Sequence, residues 1–369
     1  MVRLTRAQQQ ARTRAAVVAA ARQEFVEYGY TPAKVDRIAE RAELTRGAVY
    51  SNFPSKRALY LSVLLDLVES AGPVAEPPHP PASAGEALGA FARAWLERLP
   101  LVEDTAAGGR LHLRSLVGVV EDDPGRAVLA QLAHLEALLL AVGLEACGPG
   151  GAAARRVRLA ELALTLLGGS GFLAETAPGF GDPFDRARAC AHLAGLDLAD
   201  TWAPAHLPYV RPAAPCRDPW EPPAGLVDQI TGEPIDLGAD GVVAVLGARR
   251  LGAAEEALRS ARPGEQAAVV VVTDDPAETG ALVRLRITDL AACLRRVFPP
   301  ETWRPLRLAV ADAAPVAAAL GLPAAGDDTE AAVRVHAGAL VARAQGRGAA
   351  HAAATAAPDP APRSRKATP

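Results

Sequence analysis

Lysine is nearly missing from this chain. It stands only at positions 34, 56 and 366, so 36 of the 39 basic residues are arginine. With abundant Ala, Gly and Pro, this is the composition of a GC-rich genome, and the arginine count alone carries no functional meaning. Aromatic residues make up 4%, so any core must be built mostly of Leu, Val and Ala. Four cysteines (Cys147, Cys190, Cys216, Cys293) stand far apart with no CxxC pair. That spacing excludes a disulfide framework and fits a reducing cytoplasm. The longest purely apolar stretches, such as Ala137–Leu144, fall far short of the ~18–20 residues of a membrane span. The basic N-terminus, MVRLTRAQQQARTR, is followed by no apolar h-region and no small-residue cleavage site. The expectation is a cytoplasmic chain with no membrane partner. Seven histidines (79, 112, 134, 192, 206, 336, 351) are scattered. Cys190 and His192, two residues apart on a helix, point to different faces. No metal site and no cofactor are expected.

The chain has 369 residues, half of them hydrophobic and 22% charged, the balance of a globular protein of two or three domains. Charge is unevenly spread. Residues 1–60 hold eleven Lys/Arg against five Asp/Glu, a net +6, whereas residues 61–224 net −8. A basic head on an acidic body suits a nucleic-acid-binding arm, although a solvated charged face has the same composition.

Hydrophobic spacing predicts a helix over 8–28, with Val17, Ala20, Ala21, Phe25 and Tyr28 on one face and Gly29 ending it. Thr31-Pro32 signals a new start, and Val35, Ile38, Ala39 and Ala42 give a second, short helix. Glu43-Leu44 is a tight connection. Thr45 is an N-cap for a third helix, Arg46–Asn52, which Phe53-Pro54 ends. Ser55 caps a fourth helix with an apolar stripe of Leu59, Val63 and Leu67. A Pro-rich break spans 71–83. Helical patterns follow at about 84–99, 108–121, 124–146, 152–176 and 183–201. The cluster Gly168-Gly169-Ser170-Gly171 marks a kink or a close approach of helices; it lacks the strand and the Lys-Ser/Thr of a phosphate loop.

Two short helices joined by a three-residue connection, in a basic segment, make a helix-turn-helix, whose second helix fits the DNA major groove. The stretch 29–59, GYTPAKVDRIAERAELTRGAVYSNFPSKRAL, resembles the DNA-binding domain of TetR-type bacterial repressors. The matching positions are Ile38-Ala39, Ala42, Leu44-Thr45, Gly47, Tyr50, Phe53, Lys56 and Leu59. Lys34 stands where the family often has Thr or Ser. The resemblance implies that Thr45, Tyr50 and Lys56 hold phosphates, with Lys34 a weaker candidate. It turns Arg46, Gly47, Ala48, Ser51 and Asn52 toward the groove. Arg46 has the donors to pair with guanine and Asn52 with adenine. The competing roles are packing for Tyr50, simple solvation for Lys56 and close backbone approach for Gly47.

The resemblance extends to a helical second domain at 84–202, with a ligand cavity between helices and a homodimer interface on the last two. Its mechanism would be allosteric: a small-molecule effector favours a state whose recognition helices no longer fit a palindromic operator. Trp95, Trp202, Phe91, Phe172 and His112 are candidates to line such a cavity, with core packing as the alternative for each.

The expected organisation is a head at 8–70, the helical domain at 84–202, a Pro-rich linker at 203–224, an α/β module at 225–348 and a disordered tail from 349. In the module, β-rich runs at Val242–Leu246, Ala267–Thr273, Leu306–Ala311 and Ala331–His336 alternate with helical patterns at about 252–261, 287–297 and 314–320. Leu226–Val245, Pro315–Gly321 and the Val333–Arg343 hairpin resemble a thioredoxin-like domain. Its active site is missing: Gly247–Leu251 has no cysteine, and Asp327-Asp328-Thr329-Glu330 has no proline. Thiol–disulfide chemistry needs a low-pKa thiolate beside a second thiol, so the module is expected to be catalytically dead and the chain not an enzyme. Two functions stand side by side: a ligand-responsive DNA-binding repressor, and a degenerate redox or redox-sensing protein with a regulatory head. The dense motif in the +6 head favours the first. On this reading, deleting residues 205–369 leaves operator binding largely intact.

Overall fold

The computed structural model describes residues 5–70, 79–100, 106–112, 114–147 and 155–356. They divide into two compact units, Met1–Asp200 with Asp275–Thr302, and Thr201–Asp274 with Trp303–Pro369.

The first unit is helical. Its head holds α1 (Arg6–Tyr28), α2 (Val35–Arg41), α3 (Arg46–Asn52) and α4 (Lys56–Glu69). The caps are local. Thr5 and Gln8 form a capping box, Thr45 accepts from the Ala48 N–H at 3.2 Å, and Ser55 accepts from the Ala58 N–H at 2.9 Å. Val17, Ala21, Phe25, Ile38, Val49, Phe53, Leu59 and Leu64 close the core. Tyr60 meets Phe25 edge to face with ring centroids 4.9 Å apart, a favoured aromatic geometry. Tyr28 departs from the expected apolar face. It is 43% exposed, and Arg37 lies over its ring.

The bundle continues with α5 (Ala84–Leu96), α6 (Ala106–His112), α7 (Asp123–Glu145), α8 (Val157–Thr176) and α9 (Pro183–Leu193). The expected helix over 108–121 stops at His112, because Arg114 (φ 53°) and Gly118 (φ 72°) adopt left-handed backbone. The expected helix over 183–201 ends at Leu193, ahead of left-handed Ala199. Residues 71–78, most of the expected Pro-rich break, and residues 148–154 lie outside the described residues. By length and composition α7 and α8 could each cross a membrane. Polar and charged residues interrupt the apolar run of each. Most of the apolar stretch of α7 is buried within the bundle.

The second unit is a six-stranded mixed sheet. Its elements are β1 (Ala214–Pro219), β2 (Gly241–Gly247), α10 (Ala254–Ser260) and β3 (Gln266–Val272). The chain then forms α11 (Thr279–Arg295), which belongs to the first unit, and returns as β4 (Leu306–Val310), α12 (Ala313–Leu320), β5 (Glu330–His336), β6 (Ala339–Gln345) and α13 (Ala349–Thr355). The strand order is β1-β6-β5-β2-β3-β4. The neighbours β2, β3 and β4 are parallel, and the remaining pairs antiparallel. Every residue of β2 is buried, as expected of a strand covered on both faces. A tight turn precedes it, bridged between Val227 and Pro234. The fully buried Asp228 organises that turn, accepting from Thr231 Oγ1 at 2.8 Å and from the Leu308 N–H at 3.1 Å.

Three expectations change here. Part of the 203–224 linker is strand β1, whose prolines 215 and 219 are tolerated because the strand lies at a sheet edge. The tail from 349 begins with α13, whose alanines are buried; residues 357–369 lie outside the described residues. The segment 275–302, expected within the α/β module, is part of the helical unit. Leu282, Leu285, Ile287, Leu290 and Leu294 of α11 are buried, and its charges are met by bundle helices. Arg286 pairs twice with Glu136 (2.7 and 2.6 Å), Asp289 with Arg98, and Arg296 with Glu97. Phe298 packs where Gly143 of α7 has no side chain; a Cβ there would come within 2.7 Å of the ring.

Candidate nucleic-acid interface

The pose of the head rests on one buried carboxylate. Glu24 of α1 has no exposed surface, and its Oε1 accepts from the Lys34 N–H at 3.0 Å and from Arg37 Nε at 2.7 Å. The start of α2 is therefore tied to α1, and its N-cap, Lys34, makes no side-chain capping bond. Burial opposes the charge of Glu24. The hydrogen bonds from Arg37 and Lys34 and the charges of Arg37 and Arg41 outweigh it and hold the pKa below its ordinary value. The connection from α2 to α3 turns through Glu43, left-handed at φ 55°, with the Leu44 N–H donating to Ala39 O at 2.9 Å. Arg14 locks the far end of α3. It donates to Asn52 O at 2.9 Å and lies 4.1 Å above the Phe53 ring.

The outer face of α3 is polar and open. Arg46 is exposed, 3.3 Å from Asp36 and over the Tyr50 ring, and Tyr50 is itself 38% exposed. Gly47 is exposed, and an added Cβ would meet only Thr45 Oγ1 at 3.9 Å. Nothing among the described residues therefore demands glycine at that position. Ala48 is half-buried. Ser51 is exposed and its hydroxyl donates to Ala48 O. Asn52 is half-buried at the C-terminal end, and its amide also donates to Ala48 O, at 2.9 Å. Lys34 is exposed. Lys56 donates to Thr31 O at 3.0 Å and sits 4.7 Å from the Tyr30 ring, and burial pulls its pKa down. Thr45, Arg46, Gly47, Tyr50 and Ser51 thus share one surface, with Asn52 turned back on its own helix. Glu24, Arg14 and Arg37, which set that surface, escaped the reading from sequence. Their partners lie 10 to 38 residues away, beyond any local pattern.

Residues 17–63 match the family model for bacterial regulatory proteins of the tetR family. The head is a TetR-family domain. No curated protein matches the chain in sequence. Among solved structures, the chain is similar to NalD, the secondary repressor of the MexAB-OprM multidrug efflux pump in Pseudomonas aeruginosa. The two are 20% identical over 51% of this chain and 95% of that one, with a TM-score of 0.34. A TetR transcriptional regulator from Rhodococcus sp. RHA1 is 18% identical over 52% and 99%, with a TM-score of 0.33. The fatty acid degradation regulator FadR from Bacillus halodurans is 15% identical over 49% and 93%, at 0.25.

Behind the TetR-family head, the bundle holds a cleft of about 230 Å³ lined by Trp95, Arg98, Arg114, Leu167, Phe172 and Arg286, among others. Of the five aromatic candidates, Trp95 and Phe172 line it. Phe91 is fully buried beside Trp95, His112 ends α6, and Trp202 belongs to the second unit, near His351. In the second unit, the end of β2 is shut. Gly247 packs on the backbone of Asp327, where a Cβ would come within 2.2 Å of the carbonyl oxygen. Arg249 pairs with Asp328 and approaches Asp327 at 3.6 Å, and Thr273 donates to Asp327 at 2.6 Å. Burial pushes the thiols of Cys147 and Cys190 up to about 11, the reverse of a reactive cysteine. Among the described residues no group of three His, Cys, Asp or Glu is placed to hold a metal.

Proposed function

We propose that the chain is a cytoplasmic, ligand-responsive transcriptional regulator that binds a palindromic DNA operator as a homodimer and is released by a small molecule. The observation that carries this is the open polar face of α3 inside a TetR-family domain, with Gly47 presenting bare backbone. Thr45, Tyr50, Lys56 and Lys34 hold phosphates, Arg46, Gly47, Ala48 and Ser51 face the groove, and Asn52 reaches it on giving up its amide bond to Ala48 O. The exposed Phe180, Phe184, Leu162 and Leu166 of the α8–α9 region support a dimer seam there, since large apolar patches on a surface mark partners. Two heads so joined would reach successive major grooves. The chain has no catalytic role on this reading. The second unit is a thioredoxin-like module without the redox chemistry. Its parallel β2–β3 pair, the antiparallel β5–β6 hairpin beside β2 and the closed Arg249–Asp328 corner support that.

The test is fluorescence anisotropy of the purified protein with DNA from upstream of its own gene, at two salt concentrations and against scrambled DNA. Tight binding that prefers the native sequence and weakens with salt is expected. Equal, weak binding to both DNAs would refute an operator at that location.

A further inference from the structure

The bundle cleft carries one arginine more than its carboxylates can satisfy. Arg286 is matched twice by Glu136, and Arg98 by Asp289. Arg114 donates to the His112 carbonyl, but among carboxylates it has only a share of Asp289, at 3.5 Å, and its buried Nε makes no hydrogen bond. Glu175, which lines the cleft, accepts from Ser115 Oγ at 3.0 Å. A half-buried guanidinium with more donors than acceptors around it is costly. Arg114 is also held in left-handed backbone, φ 53°, the kind of strain that clusters at ligand clamps.

Another part of the lining is bare glycine. Gly168 and Gly171 line the cleft from inside α8, and a Cβ on either would meet nothing within 4 Å. Glycine in a helix interior costs stability, and among the described residues no side chain comes near the position its Cβ would take. Trp95, Leu167 and Phe172 supply an apolar floor. The volume is below that of sites for drug-sized ligands.

From this we infer that the cleft binds a small organic carboxylate with a compact apolar body, its carboxylate on Arg114 and its body between Trp95 and the Gly168–Gly171 wall. The inference rests on the ligand-responsive reading above and gives that ligand a chemical class. Arg286 and Asp289 come from α11, so the site is complete only with the segment that follows β3. The ligand also lies one residue from Ser115, whose carbonyl accepts the Tyr60 hydroxyl at 3.1 Å. Tyr60 is on α4, next to the core of the head, so occupancy of the cleft bears on the element that carries α3.

The test is calorimetric titration of the full chain, without DNA, with benzoate and hexanoate and with their neutral analogues benzamide and hexanamide. The acids should bind about tenfold or more tightly than the amides, the margin of a charge-assisted hydrogen bond. Arg114→Gln should remove that margin. Gly171→Leu, which has open space for its side chain and favours the helix, should block acids and amides alike while far-UV circular dichroism stays unchanged. Absence of acid binding, equal binding of acid and amide, or insensitivity to both variants would overturn the proposal. The anisotropy assay is then repeated with benzoate. Binding without any change in DNA affinity keeps the carboxylate site and removes its role as the effector site.

Discussion

The outer face of α3 and the end of β2 are both polar, and they treat their polar groups in opposite ways. At the end of β2, Arg249, Asp327, Asp328 and Thr273 satisfy one another, and Gly247 lets the backbones close together. On α3, Arg46 keeps a long contact to Asp36 and lies over the exposed Tyr50 ring, and the surface around Gly47 and Ser51 stays open. A region whose donors are spent on its own acceptors is scaffold. A region that leaves charge and bare backbone facing water has been kept ready for something outside the chain. Buried acids do the supporting work in both units, Glu24 under the head and Asp228 under the sheet.

The largest effect that sharpens this contrast is expected from Gly247→Val. The new side chain collides with the Asp327 backbone, and overpacking of this kind costs roughly 3 kcal/mol or more. Amide exchange should accelerate through β2 and β5 and leave α1–α4 unchanged; protection that survives in β2 would show the corner to be pliable. Next is Glu24→Ala, which strips the Lys34 N–H and Arg37 of their acceptor and should cost about 2 kcal/mol, seen as faster exchange at residues 34–38. The same residue gives the head a pH dependence. Its folded pKa lies below its ordinary 4.5, so the folded state binds fewer protons. Its contribution is full above that value and is lost as pH falls through the folded pKa. Melting of wild type should therefore drop below about pH 4.5 by a margin that Glu24→Gln lacks.

A smaller effect comes from the open face itself. Lys56→Ala should weaken binding to all DNA sequences alike and lower the salt slope by about 1, whereas Arg46→Ala should relax base preference at one position per half-site. An unchanged slope would assign Lys56 wholly to its contact with Thr31. The smallest effect is Arg249→Ala. Its ion pair is largely solvated, and the unfolding midpoint should move by about 0.5 kcal/mol or less. A large loss would mean that the corner supports the sheet and does not merely close it.

The head was legible because its signals are local. Thr45 and Ser55 cap helices three residues away, and Pro54 stops α3 one residue on. The strands of the sheet were legible as Val- and Ala-rich runs. What escaped lacked a periodic signature or depended on distant partners. α11 is buried on nearly every side, so it shows no polar face to set its start, and its pattern was read only from 287 onward. β1 hid among prolines that only an edge strand accepts. α13 is almost all alanine, which gives no periodicity. At the site, sequence placed the outward residues of α3 but not the inward clamp of Glu24, Arg14 and Arg37, because chain separation conceals tertiary pairs.

The insertion of α11 into the helical unit has a topological consequence. The chain passes from one unit to the other three times, after Asp200, after Asp274 and after Thr302. No single backbone cut can free either unit from the other. Termination at residue 204, which the linear order of the sequence makes attractive, would pull a whole helix out of the bundle, take Arg286 and Asp289 from the cleft, and leave Glu136, Glu97 and the Gly143 groove uncovered. The two units are woven, not strung, and a separable piece of this protein has to be made by joining 1–200 to 275–302 and not by shortening the chain.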